Sequence, residues 1–253
     1  MSPSALALPL AMAVAAGLVG CFAVMRRLTL ASDALSHVAL PGIGIALLLQ
    51  WNPVLGGLIA LFFGTVLVWA VEHKTRIPTE AVIGVVFSTA LAVGSLLTSG
   101  EELIEALFGA PGEGGWVETM AGLAAAALVV AFLWWARSRL VIALISRDLA
   151  RAGGINVPRL DLLYLLAFAL TVALGLRYLG VLLMGSLVII PAATAKHVAR
   201  SLNSMLLISV TLAVASTLGG YWAASIFHLQ AGPLIIIIAS AGFFLSLVKR
   251  RPA

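Results

Sequence analysis

Charge is the scarcest commodity in this sequence. Of 253 residues only 10% are Asp, Glu, Lys or Arg, while 62% are hydrophobic. A soluble domain carries roughly a quarter charged residues, so a water-facing surface cannot be assembled from this chain. In lipid none is needed, because the bilayer solvates apolar side chains. Cysteine is nearly absent: Cys21 is alone, which excludes an intrachain disulfide and a cysteine cluster for zinc. It lies in an apolar run and reads as a small core residue. Lysine occurs only at Lys74, Lys196 and Lys249, and none follows a glycine. No GxxxxGK[ST] loop exists, so the chain does not bind ATP in that manner. HExxH, GxSxG and Cys/His clusters are missing as well, which leaves a membrane enzyme poorly supported.

What is present is a series of nine apolar runs: 5–25, 38–50, 54–71, 81–97, 120–136, 162–176, 179–195, 205–226 and 234–248. At roughly 20 residues per span, the chain reads as one all-α, polytopic transmembrane bundle over residues 1–253, of about eight spans with nine possible. The run 38–50 reads as part of a longer helix beginning near Leu28. The runs 162–176 and 179–195 are so close that one reads as a broken span. The first run is too long for a signal-peptide core and lacks a basic segment before it, so it is expected to be retained.

The net charge of +5 is no nucleic-acid footprint, because the basic residues sit between apolar runs. Such residues mark cytoplasmic loops. Lys74 and Arg76, the five arginines of 137–159, Lys196 with Arg200, and Lys249–Arg251 therefore predict cytoplasmic segments and a cytoplasmic C-terminus. Residues 98–119 hold five glutamates and no Lys or Arg, and should face outward. Arg177 fits this pattern poorly.

Two stretches carry chemistry. In Arg26–Gly44, RRLTLASDALSHVALPGIG, Asp33 and His37 are four residues apart and share one helical face. A carboxylate oxygen beside an imidazole nitrogen suits zinc, manganese or iron(II), and ionisable groups near a span usually mark a pathway. The same spacing suits a hydrogen-bonded Asp–His pair at a helix end without metal, and spacing alone leaves both open. Pro41 and Gly42 then interrupt the pattern, as beside a substrate route. In Gly180–Leu202, GVLLMGSLVIIPAATAKHVARSL, a span meets Pro191 and enters Ala192–Leu202, too short and charged to cross. That segment predicts a cytoplasmic helix lying against something. His197 is a weak ligand candidate because Lys196 and Arg200 flank it. Glu72 and His73 read as solvated helix-end residues or as acceptors for a departing ion. His228 reads as a turn residue.

The whole pattern resembles the permease subunits of metal-ion ABC importers, the zinc, manganese and iron class. The resemblance rests on RRLTLASDALSHVALPGIGIALLL at 26–49, LFGA at 107–110, SRDLARAGGINVPRLDLLY at 146–164, GSLVIIPAATAKHVAR at 185–200 and AGPLIIIIASAGFF at 231–244, in that order. It implies a type II ABC importer-like bundle in a bacterial cytoplasmic (inner) membrane, surrounded by lipid. It further implies a permease homodimer, separate ATPase subunits and an external, periplasmic metal-binding protein. No cofactor is held permanently; the metal ion is cargo. By position, the family's Asp-x-x-x-His element falls on Asp33 and His37, lining the metal route. The ATPase-docking helix falls on Ala192–Leu202, with Pro191, Ala192, Ala195, Lys196, His197 and Arg200 as contacts. Ser146, where many manganese and iron members carry Asp, tilts the resemblance toward zinc. Two other classes stay open on the residues: a secondary transporter using Asp33 and His37 as a proton relay, and a metal-chelate or cobalamin-type permease.

Overall fold

A computed structural model of the chain describes residues 3–28, 31–75, 77–97, 115–178 and 181–248; the side chains of 3–5, 31–33, 176–178 and 181–182 fall outside that description. Among the described residues every regular element is helical: α1 (Pro3–Met25), α2 (Ala31–Leu48), α3 (Pro53–Lys74), α4 (Thr79–Leu97), α5 (Trp116–Ile145), α6 (Arg147–Ala152), α7 (Val157–Tyr178), α8 (Val181–Val198), α9 (Leu202–Phe227) and α10 (Ala231–Val248). Seven of these (α1, α3, α4, α5, α7, α9 and α10) are long and apolar enough to cross a membrane. Helices α2 and α8 are shorter apolar helices of 18 residues, about 27 Å at 1.5 Å per residue. The predicted eight spans thus lie between seven long helices and nine apolar ones.

Local chemistry sets the helix ends. Asn52 caps α3, its Oδ1 accepting from Val54 N at 2.9 Å with Pro53 in the first turn. Ser201 caps α9 through Ser204 N, and Ser146 caps α6 through Leu149 N, each at 3.2 Å. Inside the spans the hydroxyls of Thr65, Thr171, Thr194 and Thr217 donate to carbonyls four residues back. This satisfies each polar group where no water could.

Helices α1, α7, α8 and α9 enclose the core, where Met12, Phe22, Tyr164, Phe168, Met184 and Leu187 are fully buried. Tyr164 donates to Val19 O at 3.1 Å, and Ser209 donates to Gly17 O at 2.8 Å. Cys21 is buried in this core, as its sequence context predicts. Two helix pairs meet backbone to backbone. A Cβ on Gly20 would strike the Val188 carbonyl, and one on Gly42 would strike the Gly56 carbonyl. Small residues permit this approach in lipid.

Side-chain ties bring the basic connections to one end. Arg26 after α1 meets Asp161 near the start of α7. Trp69 near the end of α3 donates to Pro158 O at 2.9 Å. Lys196 near the end of α8 reaches Val24 O at 3.5 Å. The guanidinium groups of Arg137 and Arg139 lie over Trp134 and Trp135 at 4.2 and 4.0 Å. They therefore do not end α5, which continues through Leu140–Ile145 to the same basic end. Residue 115 and the outer turn 228–230 lie at the opposite end; residues 98–114 and 249–253, which carry part of the predicted topology, lie outside the described residues.

Candidate metal route and basic end

Helix α2 passes Asp33 and His37 in consecutive turns, so their backbone positions share one face as the spacing predicts. The Asp33 side chain lies outside the description. His37 is half-buried, its ring 5.4 Å from that of Phe87 on α4 and tilted by 60°. Ser36 beside it is fully buried. Pro41 sits inside α2 without ending it, and Gly42 then presses on Gly56. Val38, Pro41 and Gly42 also line a cleft of about 520 Å³ between α2, α3 and α4 whose lining has no charged group. That cleft suits apolar contact and has nothing to hold an ion. Among the described residues no group of three or more His, Cys, Asp or Glu could hold a metal.

At the basic end the structure revises the reading of Ala192–Leu202. Helix α8 runs unbroken through Pro191 to Val198, so residues 192–198 are its last two turns and not a separate helix. Pro191, Ala192 and Ala195 are buried within this chain; Lys196 and Arg200 are exposed and His197 is half-buried. Packing of Pro191, Ala192 and Ala195 inside the bundle carries the helix past a residue that alone would favour a break. Of the six residues expected there as contacts, the ones with side chains open to a partner are Lys196, His197 and Arg200, and Val198 is exposed beside them. Glu72 and His73 end α3 at the same face; His73 Nδ1 lies 3.0 Å from Trp69 O. His228 occupies a left-handed turn after α9.

The same end carries a constellation that sequence reasoning missed. Arg26 Nη2 binds Asp161 Oδ1 at 2.8 Å, both side chains nearly buried, and the guanidinium lies 4.5 Å from the Tyr164 ring centre. Arg147 Nη2 lies 3.5 Å from Glu72 Oε1 and 3.8 Å from Asp161 Oδ2. Four charges from α3, α6, α7 and the α1–α2 link thus converge around a cleft of about 340 Å³. One signal was available: Asp161 directly precedes the apolar run 162–176, where a carboxylate entering a span needs a partner.

Residues 2–250 match the family model described as the ABC 3 transport family. The chain belongs to the ABC 3 transport family. A high-affinity zinc uptake system membrane protein, ZnuB of Haemophilus influenzae, is 30% identical over 238 residues, covering 92% of this chain and 91% of its own. The manganese transport system membrane protein MntC of Listeria monocytogenes is 27% identical, covering 93% and 85%. Among solved structures, PsaBC from Streptococcus pneumoniae in complex with Fab superposes with a TM-score of 0.79 at 28% identity, over 95% of this chain and 89% of that one. An ABC transporter in an inward-facing conformation, at 17% identity and a TM-score of 0.73, shares the fold alone. The ABC 3 bundle is therefore a multi-pass membrane permease fold. Of the five stretches that carry the resemblance, 107–110 lies outside the described residues.

Proposed function

We propose that this chain is the membrane-spanning subunit of an ATP-driven importer for a divalent transition metal ion, zinc foremost and manganese or iron(II) as alternatives. The observation that carries the reading is the Asp33–His37 pair on α2, set in a chain matching the ABC 3 family over residues 2–250. Zinc uptake by one relative and manganese transport by another support a metal cargo. The imidazole of His37 favours zinc over manganese, which prefers oxygen donors. The chain has no nucleotide loop of its own, so ATP hydrolysis belongs to a separate ATPase subunit and this chain is not the enzyme. The remaining partners are an external metal-binding protein and a second copy of this chain, in a bacterial inner membrane.

The ion leaves the external protein, passes the carboxylate and imidazole of Asp33 and His37, and exits at the basic end. Weak, incompletely coordinated sites let it leave again. The basic end faces the cytoplasm. ATPase docking falls on the exposed skin of that end: Lys196, His197 and Arg200 at the α8–α9 turn, with Asp148, Leu149 and Arg151 of α6, all outside the core. Pro191, Ala192 and Ala195 support that surface from within.

The test is zinc uptake by vesicles holding the chain with its ATPase subunit. Uptake requires ATP, and Asp33→Asn and His37→Ala abolish it at unchanged expression and thermal stability. Uptake that follows a proton gradient without ATP favours the proton-relay reading. Transport that survives loss of both side chains favours a chelate-type permease.

A further inference from the structure

Arg147 is an arginine between two carboxylates, bound closely by neither. Charge-assisted N–H···O contacts usually measure about 2.7–2.9 Å. Arg26 meets Asp161 at that length, whereas Arg147 stands 3.5 Å from Glu72 and 3.8 Å from Asp161. Asp161 Oδ2 is buried and has no hydrogen bond. An unfilled acceptor on a buried carboxylate is costly, and Arg147 stands 3.8 Å from it. The Arg147 side chain is 57% exposed and has room to move in the cleft it shares with Arg26, Glu72, Ser146 and Asp161. A movement of about 1 Å (3.8 Å down to the 2.8 Å of the Arg26 contact) would close the second bond to Asp161.

The elements on either side suit such a movement. Arg147 opens α6, a six-residue helix joined to α5 through the single extended residue Ser146 and followed by Gly153 and Gly154, the latter at φ +76°. That short helix can shift without bending a span. Asp161, by contrast, is fixed to Arg26, which the turn at residues 26–28 holds to the end of α1. Arg26 N donates to Phe22 O at 2.9 Å and Leu28 N to Ala23 O at 2.8 Å, with Arg27 held at φ +61°. The guanidinium of Arg26 also rests on Tyr164. Beyond this turn begins α2, with Asp33 and His37.

We infer that Arg147 is the positioning residue that couples α6 to the end of α1, the helix that precedes the metal-bearing α2, by exchanging its guanidinium between Glu72 and Asp161 as α6 moves. On Glu72 it ties α6 to α3. On Asp161 it adds a second cation to the carboxylate that Arg26 holds and loosens its grip on the turn that ends α1. No bond is made or broken in the exchange. The inference rests on the importer reading above, because it needs an ATPase that displaces α6.

The experiment measures ATP hydrolysed per zinc ion transported by the reconstituted complex. Arg147→Gln should raise that ratio about fivefold or more, the lower range of ordinary coupling between sites, with assembly and thermal stability unchanged. Glu72→Gln, which removes one of the two stations, should do the same and serves where Arg147→Gln fails to assemble. The charge-swapped pair Glu72→Arg with Arg147→Glu separates the roles. It restores the tie between α6 and α3 but sets two carboxylates against each other at Asp161, so the ratio stays high. A wild-type ratio in the swapped pair reduces Arg147 to a structural tie and overturns the inference, as does a wild-type ratio in Arg147→Gln. A wild-type complex that takes up no zinc on ATP overturns the importer reading and this inference with it.

Discussion

Replacing Gly42 by alanine adds one carbon atom where α2 and α3 touch. That atom would fall on the carbonyl oxygen of Gly56, 2.8 Å from its carbonyl carbon and 2.5 Å from Ala60 Cβ. Backbone atoms and a methyl group cannot rotate aside, so the helices must part. The contact is reciprocal, because a Cβ on Gly56 would meet the Gly42 carbonyl in turn. Overpacking of this kind costs about 1–3 kcal/mol, and here it also moves α2, five residues after His37. Gly42→Ala should therefore lower the melting temperature of the detergent-purified protein by several degrees and reduce zinc uptake in proportion to the displaced helix. Gly84→Ala on α4 is the control, since a Cβ there meets nothing within 4 Å. In a helix interior that change is neutral or stabilising by up to about 1 kcal/mol. If Gly42→Ala melts with the wild type and Gly84→Ala, the backbone contact does not hold α2 in place and the packing argument fails.

Tyr164→Phe keeps the ring beneath Arg26 and loses only the hydroxyl bond to Val19 O, so thermal denaturation should register a loss of about 0.5–1.5 kcal/mol; Tyr164→Ala empties the core and should cost about 3–5 kcal/mol. In a Cys21→Ser background, Gly115→Cys should react with an impermeant thiol reagent from outside the cell and Asn203→Cys only from the cytoplasmic side, both positions being exposed at opposite ends; the reverse pattern inverts the topology.

The spans were legible because a membrane helix writes its length directly into the sequence. Each of the nine apolar runs corresponds to one helix of the bundle, and of the close pair 162–176 lies in the long α7 and 179–195 in the shorter α8. Run ends were less legible than runs. The run 120–136 stops at Arg137, yet α5 continues to Ile145, because Arg137 and Arg139 lay their guanidinium groups on neighbouring indoles and leave the helical backbone undisturbed. Pro191 misled in the opposite direction. It reads as a boundary, and the alanines after it read as one face of a surface helix. Tertiary packing carries α8 past the proline and buries Ala192 and Ala195 instead. Alanine fits an exposed helix face and a tight helical contact equally well, so no pattern in 192–202 distinguishes the two.

The ion-pair cluster was illegible for a different reason. Asp161 and Arg26 are 135 positions apart (161 less 26), and no periodicity connects a residue after the first span to one at the start of α7. Read singly, Arg147 counts as an orientation signal and Glu72 as a solvated helix-end group, and nothing in either reading points to Arg26 or Asp161. The structure gives them a second occupation as partners, so two positive charges at this end are matched by two negative ones. That match does not weaken the orientation argument. Topology follows the Lys and Arg of short loops, and acidic residues contribute little to it. Lys74, Lys196 and Arg200 also remain exposed on the same face. The charged groups of this end thus have two readings at once: their placement between apolar runs is what the sequence shows, and in the folded bundle Arg26 and Arg147 tie the end of α1 and α6 to the carboxylates of α7 and α3.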